Sequence, residues 1–172
     1  MASAHSHATS QGLTTGGRGH SGRARQAGRS EVAGEIARYL GAGSIVAVGA
    51  IHLQQYYDAY FSAVPTIGTL FLLTFIGSAV VGATLIAPVR RLGRRIGDLT
   101  LVLAALAGIG IAVGTLAALL VSEYRPLFGF MESGYRLAIV LTIVFDGLAT
   151  VLLGTFILMV ALRYHGPGRS RH

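Results

Sequence analysis

Asp146 is a carboxyl group in the middle of an apolar run, with no arginine between Arg136 and Arg163 to pair with it. Counted from Tyr135 at the helical rise, it lies about 16 Å deep, near the centre of a bilayer. An ionised carboxylate there costs about 2.5 to 3.5 kcal/mol on insertion scales, so the group is expected to face other helices and to be protonated or paired. Thr142, Asp146 and Thr150 recur at four-residue spacing, which puts them on one helix face. Thr74 and Ser78 repeat that spacing at similar depth in an earlier apolar run. The sequence therefore predicts a polar seam between the second and fourth apolar segments. Such a seam has two chemical uses. The carboxyl could carry a proton or cation, or contact a substrate. It could instead stay neutral and join helices through hydrogen bonds of about 0.6 to 2 kcal/mol.

A second group gathers where the first apolar segment ends. His52 is followed by Gln55 and Tyr56, which share its face if the helix continues, and then by Asp58 and Tyr60. An imidazole here suits a proton carrier, a ligand or a metal contact, and it equally suits an interfacial hydrogen bond to a loop. Other chemistries are excluded. There is no cysteine, hence no disulfide, thiol redox centre or thiolate-bound metal. His5, His7 and His20 lack the spacing of a structural metal site. His165 lies near the opposite end of the apolar segments from His52, so a bis-histidine haem within one chain is not expected. No nucleophile elbow, phosphate loop, zinc-protease or dinucleotide motif is present, and Gly41 to Ser44 lacks the strand and spacing of a phosphate loop. No cofactor and no metal are expected. Glu123, Arg125, Glu132 and Arg136 form a balanced charged loop around Pro126, and surface pairs of that kind contribute little. Gly110 and Gly114 form a G-x-x-x-G, which marks close helix packing inside a bundle or between chains.

These groups need elements to hold them. The chain has 172 residues, 52% of them apolar and 12% charged, where a soluble domain carries about 25% charged residues. Apolar segments are predicted at 36–53, 65–87, 99–121 and 134–162. About 20 helical residues cross a hydrocarbon core of about 30 Å, and backbone groups in lipid must be satisfied internally, so the segments must be helices. The predicted fold class is all-α membrane: an antiparallel bundle of four transmembrane helices in up-down-up-down order. Residues 1–29, rich in Gly, Ser, Ala, His and Arg, are predicted to be a disordered tail. Ser30 and Glu31 then read as a helix start, with the membrane domain over 30–165 and a second tail at 166–172. The first segment carries Gly41, Ala42, Gly43, Ser44, Ala47, Gly49 and Ala50. Small residues let backbones approach closely, so this helix is expected against its neighbours rather than mostly facing lipid.

Orientation follows from the arginines. All 14 basic residues are arginine. Only Arg125 and Arg136 fall in the two connections on one side; the rest flank the other ends of the segments. The positive-inside rule then puts both termini in the cytoplasm, as expected for a multi-pass protein of a bacterial plasma membrane. The basic balance is expected to meet anionic lipid headgroups, not nucleic acid, because no groove-reading motif accompanies it. Tyr56, Tyr57, Tyr60, Tyr124, Phe128, Phe130 and Tyr135 would form the outer aromatic belt, and Tyr39 and Tyr164 the inner one.

Ile51-His52-Leu53, then Tyr60, then Val64-Pro65-Thr66-Ile67-Gly68-Thr69-Leu70-Phe71-Leu72-Leu73 resembles a group of small actinobacterial integral membrane proteins. Those carry a His-Leu pair, a tyrosine, and a Pro-x-Ile-Gly-x-Leu-Phe-Leu-Leu run. The resemblance covers roughly residues 45 to 88, and Thr74-Phe75 departs from the Asn-Ala-like pair expected there. It implies four membrane spans and places His52 in the shared motif. It implies no reaction.

Three functions are compatible with these residues. The first is a non-enzymatic accessory subunit, scaffold or homo-oligomer. The second is a small proton-coupled carrier using Asp146 at the midplane and His52 as an outer gate. The third is a lipid- or quinone-linked enzyme drawing on His52, Asp58 and Tyr60.

Overall fold

A computed structural model describes residues 18–58, 65–124 and 137–165. Four helices occupy them: α1 (Arg18–Asp58), α2 (Pro65–Ile86), α3 (Arg94–Tyr124) and α4 (Leu137–His165), with a 3-10 turn at Val89–Leu92 between α2 and α3. All four are long and apolar enough to cross a membrane. The chain is thus an all-α, multi-pass integral membrane protein.

Local chemistry accounts for the helix ends. Pro65 opens α2, where its missing N–H would have no partner. Pro88 stops continuation beyond Ile86. Gly93 adopts φ +116, a conformation that L side chains rarely enter, and so turns the chain from the 3-10 turn into α3. The amide of Gly97 then donates to the Gly93 carbonyl at 2.8 Å, beginning the helical ladder.

The helix ends differ from the expected spans: α2 stops one residue short, α3 extends 99–121 to 94–124, α4 runs to 165 rather than 162, and α1 differs most, at both ends. α1 begins at Arg18, so residues 18–29, expected in a disordered tail, are helical, and Ser30 does not start the helix. Nucleating a helix costs far more than extending one. A packed α1 can therefore continue through a polar stretch containing arginine, alanine and glutamine, all good helix formers. At its other end α1 runs past Leu53 to Asp58. The tails at 1–17 and 166–172, together with Tyr60, Arg125, Phe128, Phe130, Glu132, Tyr135 and Arg136, lie outside the described residues.

The helices form a ring. α1 packs against α2 and α4, and α3 packs against the same two, while α1 and α3 scarcely meet across the centre. The start of α1 lies beside the end of α4, where a Cβ built on Gly34 would come within 3.3 Å of the Met159 Cβ. Ile45, Val48, Leu85, Leu101, Leu153 and Phe156 form the core. As its small residues predict, α1 is the most enclosed helix, with 56% of its apolar window buried against 22% to 28% for the others. At Gly49 a Cβ would stand 2.8 Å from the Cβ of Ser78, so α1 and α2 touch nearly backbone to backbone.

Candidate functional site

Asp146 sits on the inward face of α4 and is 1% exposed. Its carboxyl meets Thr115 of α3, whose hydroxyl lies 2.8 Å from Oδ2. The same hydroxyl is 3.0 Å from the carbonyl oxygens of Ile111 and Ala112. One hydroxyl proton thus faces acceptors on both its own helix and α4. The other carboxyl oxygen, Oδ1, is buried without a partner among the described residues. Thr150 donates to the Asp146 main-chain oxygen at 2.8 Å, as a residue four positions on can within one helix.

The Asp146 carboxyl therefore meets a hydroxyl of α3, and among the described residues neither Thr74 nor Ser78 of α2 bonds to it. Thr74 donates to Leu70 O on its own helix at 2.9 Å. Ser78 is fully buried against Gly49 of α1, with its hydroxyl unpartnered. The reason is lateral order. In the ring α2 and α4 lie across a diagonal, and the neighbours of α4 are α1 and α3. Thr142 is half-buried on the face shared with Asp146.

The group around His52 divides in two. His52 is 9% exposed, and its Nδ1 lies 2.8 Å from the Val48 carbonyl. A carbonyl oxygen only accepts, so Nδ1 carries a proton and donates to it. The ring tilts against Phe71 of α2 at a centroid distance of 5.0 Å. Gln55 and Asp58 face the other way. With Gln54 they line a cavity of ≈ 340 Å³ closed by Leu137 and Leu141 of α4. Tyr56 stacks edge-on with Tyr57 at 5.1 Å. The structure thus brings Gln55 and Asp58 together and turns His52 toward α2. Among the described residues no group of histidine, aspartate and glutamate could hold a metal.

A third constellation, absent from the sequence reading, occupies the arginine-rich end. Glu35 of α1 takes an ion pair from Arg38 at 2.8 Å and a second from Arg90 of the 3-10 turn. Arg90 Nε also donates to Asp98 of α3 at 2.8 Å. The Tyr164 hydroxyl of α4 donates to the other Asp98 oxygen at 2.9 Å. Arg38 and Asp98 are 4% and 3% exposed, so much of this network is removed from water. Burial acts to lower the Arg90 pKa, but hydrogen bonds to Glu35 and Asp98, and their charges, outweigh it, and the net shift is upward. Arg90 is held as a fixed cation joining α1 and α3 through one short turn, and Tyr164 ties α4 to the same Asp98. The signal available in the sequence was the position of Glu35 and Asp98, acids standing among arginines at the ends of apolar runs. No family model, curated protein or solved structure matches the chain, so its sites are read from their own geometry.

Proposed function

We propose that this is a non-enzymatic membrane protein that acts through helix contacts, as an accessory subunit, scaffold or homo-oligomer, in a bacterial plasma membrane with both termini cytoplasmic. The small actinobacterial proteins that residues 45 to 88 resemble would share the four membrane spans, and the resemblance implies no reaction. The observation that carries the reading is the state of Asp146: 1% exposed and engaged by Thr115 of the next helix. A carboxyl serving transport needs water access, whereas one serving cohesion needs a dry seam. The proton count favours a neutral acid. If Asp146 is protonated, Oδ2 donates to Thr115, and Thr115 donates in turn to Ile111 or Ala112; if it is ionised, one Thr115 proton must serve all three oxygens. Gly110 and Gly114 add support for contacts between chains, since nothing lies within 4 Å of a Cβ built on either.

The second reading, a proton-coupled carrier, rests on the unpartnered Oδ1 of Asp146. The Asp146→Asn variant separates the two. An amide can place its NH2 toward Thr115 and its oxygen at the vacant site, so cohesion predicts a change in stability within about 0.5 kcal/mol. Asp146→Leu leaves Thr115 without its interhelical partner and should cost about 1 kcal/mol. Thermal unfolding in detergent, followed by circular dichroism, measures both. A folded Asn variant that loses a growth phenotype, or pH-dependent flux into proteoliposomes, would establish the carrier instead.

Orientation has its own test. A reporter fused at either terminus should report cytoplasm, and one inserted near Phe130 the exterior, because only Arg125 and Arg136 lie on that side. An exterior C-terminus would refute the assignment.

A further inference from the structure

Beside the ion-pair network a groove of ≈ 750 Å³ opens between α1 and the arginine-rich ends of α3 and α4. One wall is apolar. Val32, Ile36, Tyr39 and Leu40 line it and are 60%, 53%, 49% and 56% exposed, so they are not covered by the bundle. The groove runs from Glu31 at the rim to Leu40 deeper in the span, while Arg94 and Arg163 stand at the rim end of α3 and α4. Its charges divide cleanly. Glu35 and Asp98 are taken up by Arg38, Arg90 and Tyr164. Arg94 makes no ion pair among the described residues. Among the described residues Arg163 reaches only the Glu31 main-chain oxygen, at 3.5 Å, and its Nε is buried without a partner, as is Nη2 of Arg90. Glu31 is the remaining acid of the lining, exposed at the rim.

We propose that this groove holds one anionic phospholipid, with an acyl chain along Ile36, Tyr39 and Leu40 and its phosphate between Arg94 and Arg163. The inference needs only that the chain spans a membrane, and it stands apart from the role of Asp146. An apolar trough at acyl depth that ends in unneutralised guanidinium groups at headgroup depth matches an amphiphile of opposite charge. Guanidinium groups take phosphate oxygens through forked hydrogen bonds. A free anion would leave the apolar wall unused, and a zwitterionic lipid such as phosphatidylcholine would bring its own quaternary ammonium beside Arg94 and Arg163 and leave their charge unbalanced.

The full chain, purified in mild detergent and titrated with palmitoyl-oleoyl phosphatidylglycerol or phosphatidylcholine, tests this by native mass spectrometry. We expect one phosphatidylglycerol to be retained at least about fivefold over phosphatidylcholine. Arg94→Gln and Arg163→Gln should each weaken retention by about fivefold, equivalent to about 1 kcal/mol per arginine. Arg91→Gln, an exposed arginine outside the groove, should change it less than about twofold. Arg94 is itself exposed and unpaired, so its variant is expected to fold. Excess inorganic phosphate should leave the lipid in place. Equal retention of the two lipids overturns the proposal. So does equal sensitivity to Arg91 and Arg94, which would show a diffuse surface effect, or displacement by phosphate, which would show an anion site without lipid character. Retention that appears only after residues 166–172 are deleted would assign the groove to the chain's own tail, and likewise overturns it.

Discussion

Replacing Arg90 with methionine should destabilise the bundle by about 2 to 3 kcal/mol, because it leaves two carboxylates at the arginine-rich end without their shared cation. Asp98 is 3% exposed and would retain only the Tyr164 hydroxyl. Glu35 would retain Arg38, one turn along its own helix, and so would no longer be tied to another element. Methionine matches the length of the arginine stem, so packing is largely kept and charge is what the change removes. The estimate stands below the value for a fully buried pair because the side chains of Arg90 and Glu35 are 30% and 31% exposed and partly screened by water. Adding Asp98→Asn to Arg90→Met should recover about half of the loss, since the amide carries no charge and still accepts from Tyr164. Thermal unfolding of the four members of this cycle in detergent reads the result. A loss below about 0.5 kcal/mol for Arg90→Met would show that the network behaves as ordinary surface pairs.

That network also marks the limit of the sequence reading. Arginine placement shows which side of a membrane a loop prefers, because the rule depends on charge and proximity alone. Which arginine finds which acid depends on how Val89–Leu92 folds, and there Gly93 at φ +116 sets the direction of the chain. The spans were legible for a related reason. Apolar length and proline position act along the chain, and the predicted second span, 65–87, differs from α2 only at its end. Asp146 shows the contrast. Its depth and inward face follow from helical periodicity, which is a property of α4 alone. Its partner follows from which helix lies next to α4. Thr74 and Ser78 matched it in depth and spacing but belong to the diagonal helix, whereas Thr115, on the sequence-adjacent helix, meets it. With short connections, a helix beside its chain neighbour is the stronger prior. Applied to depth-matched hydroxyls, it singles out Thr115. The group around His52 divides for another reason. Residues three and six positions beyond His52 turn progressively away from it around the helix, and here that rotation carries Gln55 and Asp58 to the α4 side.

The contact between α1 and α2 yields the other large effect. Gly49→Ala should cost about 1 to 3 kcal/mol, the range for overpacking a filled interior. The added Cβ would lie 2.8 Å from the Ser78 Cβ, and 3.4 Å from both the Ser78 Oγ and the Phe75 carbonyl oxygen. A Cβ is fixed to its backbone, so no rotamer of Ser78 relieves the clash. The helices must separate, and separation weakens every contact along their line, including that of the neighbouring Val48 with the core. Gly41 is a useful contrast. A Cβ there would meet the Cδ2 of Leu153 at 2.6 Å and its Cγ at 3.0 Å, while the nearest Cβ, that of Leu152, stands off at 3.4 Å; a side chain can shift within the core where a Cβ cannot, so Gly41→Ala should cost less. The decisive variant is the exchange Gly49→Ala with Ser78→Gly. It moves the single Cβ from α2 to α1 and removes a hydroxyl that is buried without a partner. If close backbone approach is what Gly49 provides, the pair should recover most of the loss, with a coupling of at least about 1 kcal/mol in the cycle. Strictly additive losses would mean that α1 and α2 do not pack at this point, and that the small residues of α1 serve a different neighbour.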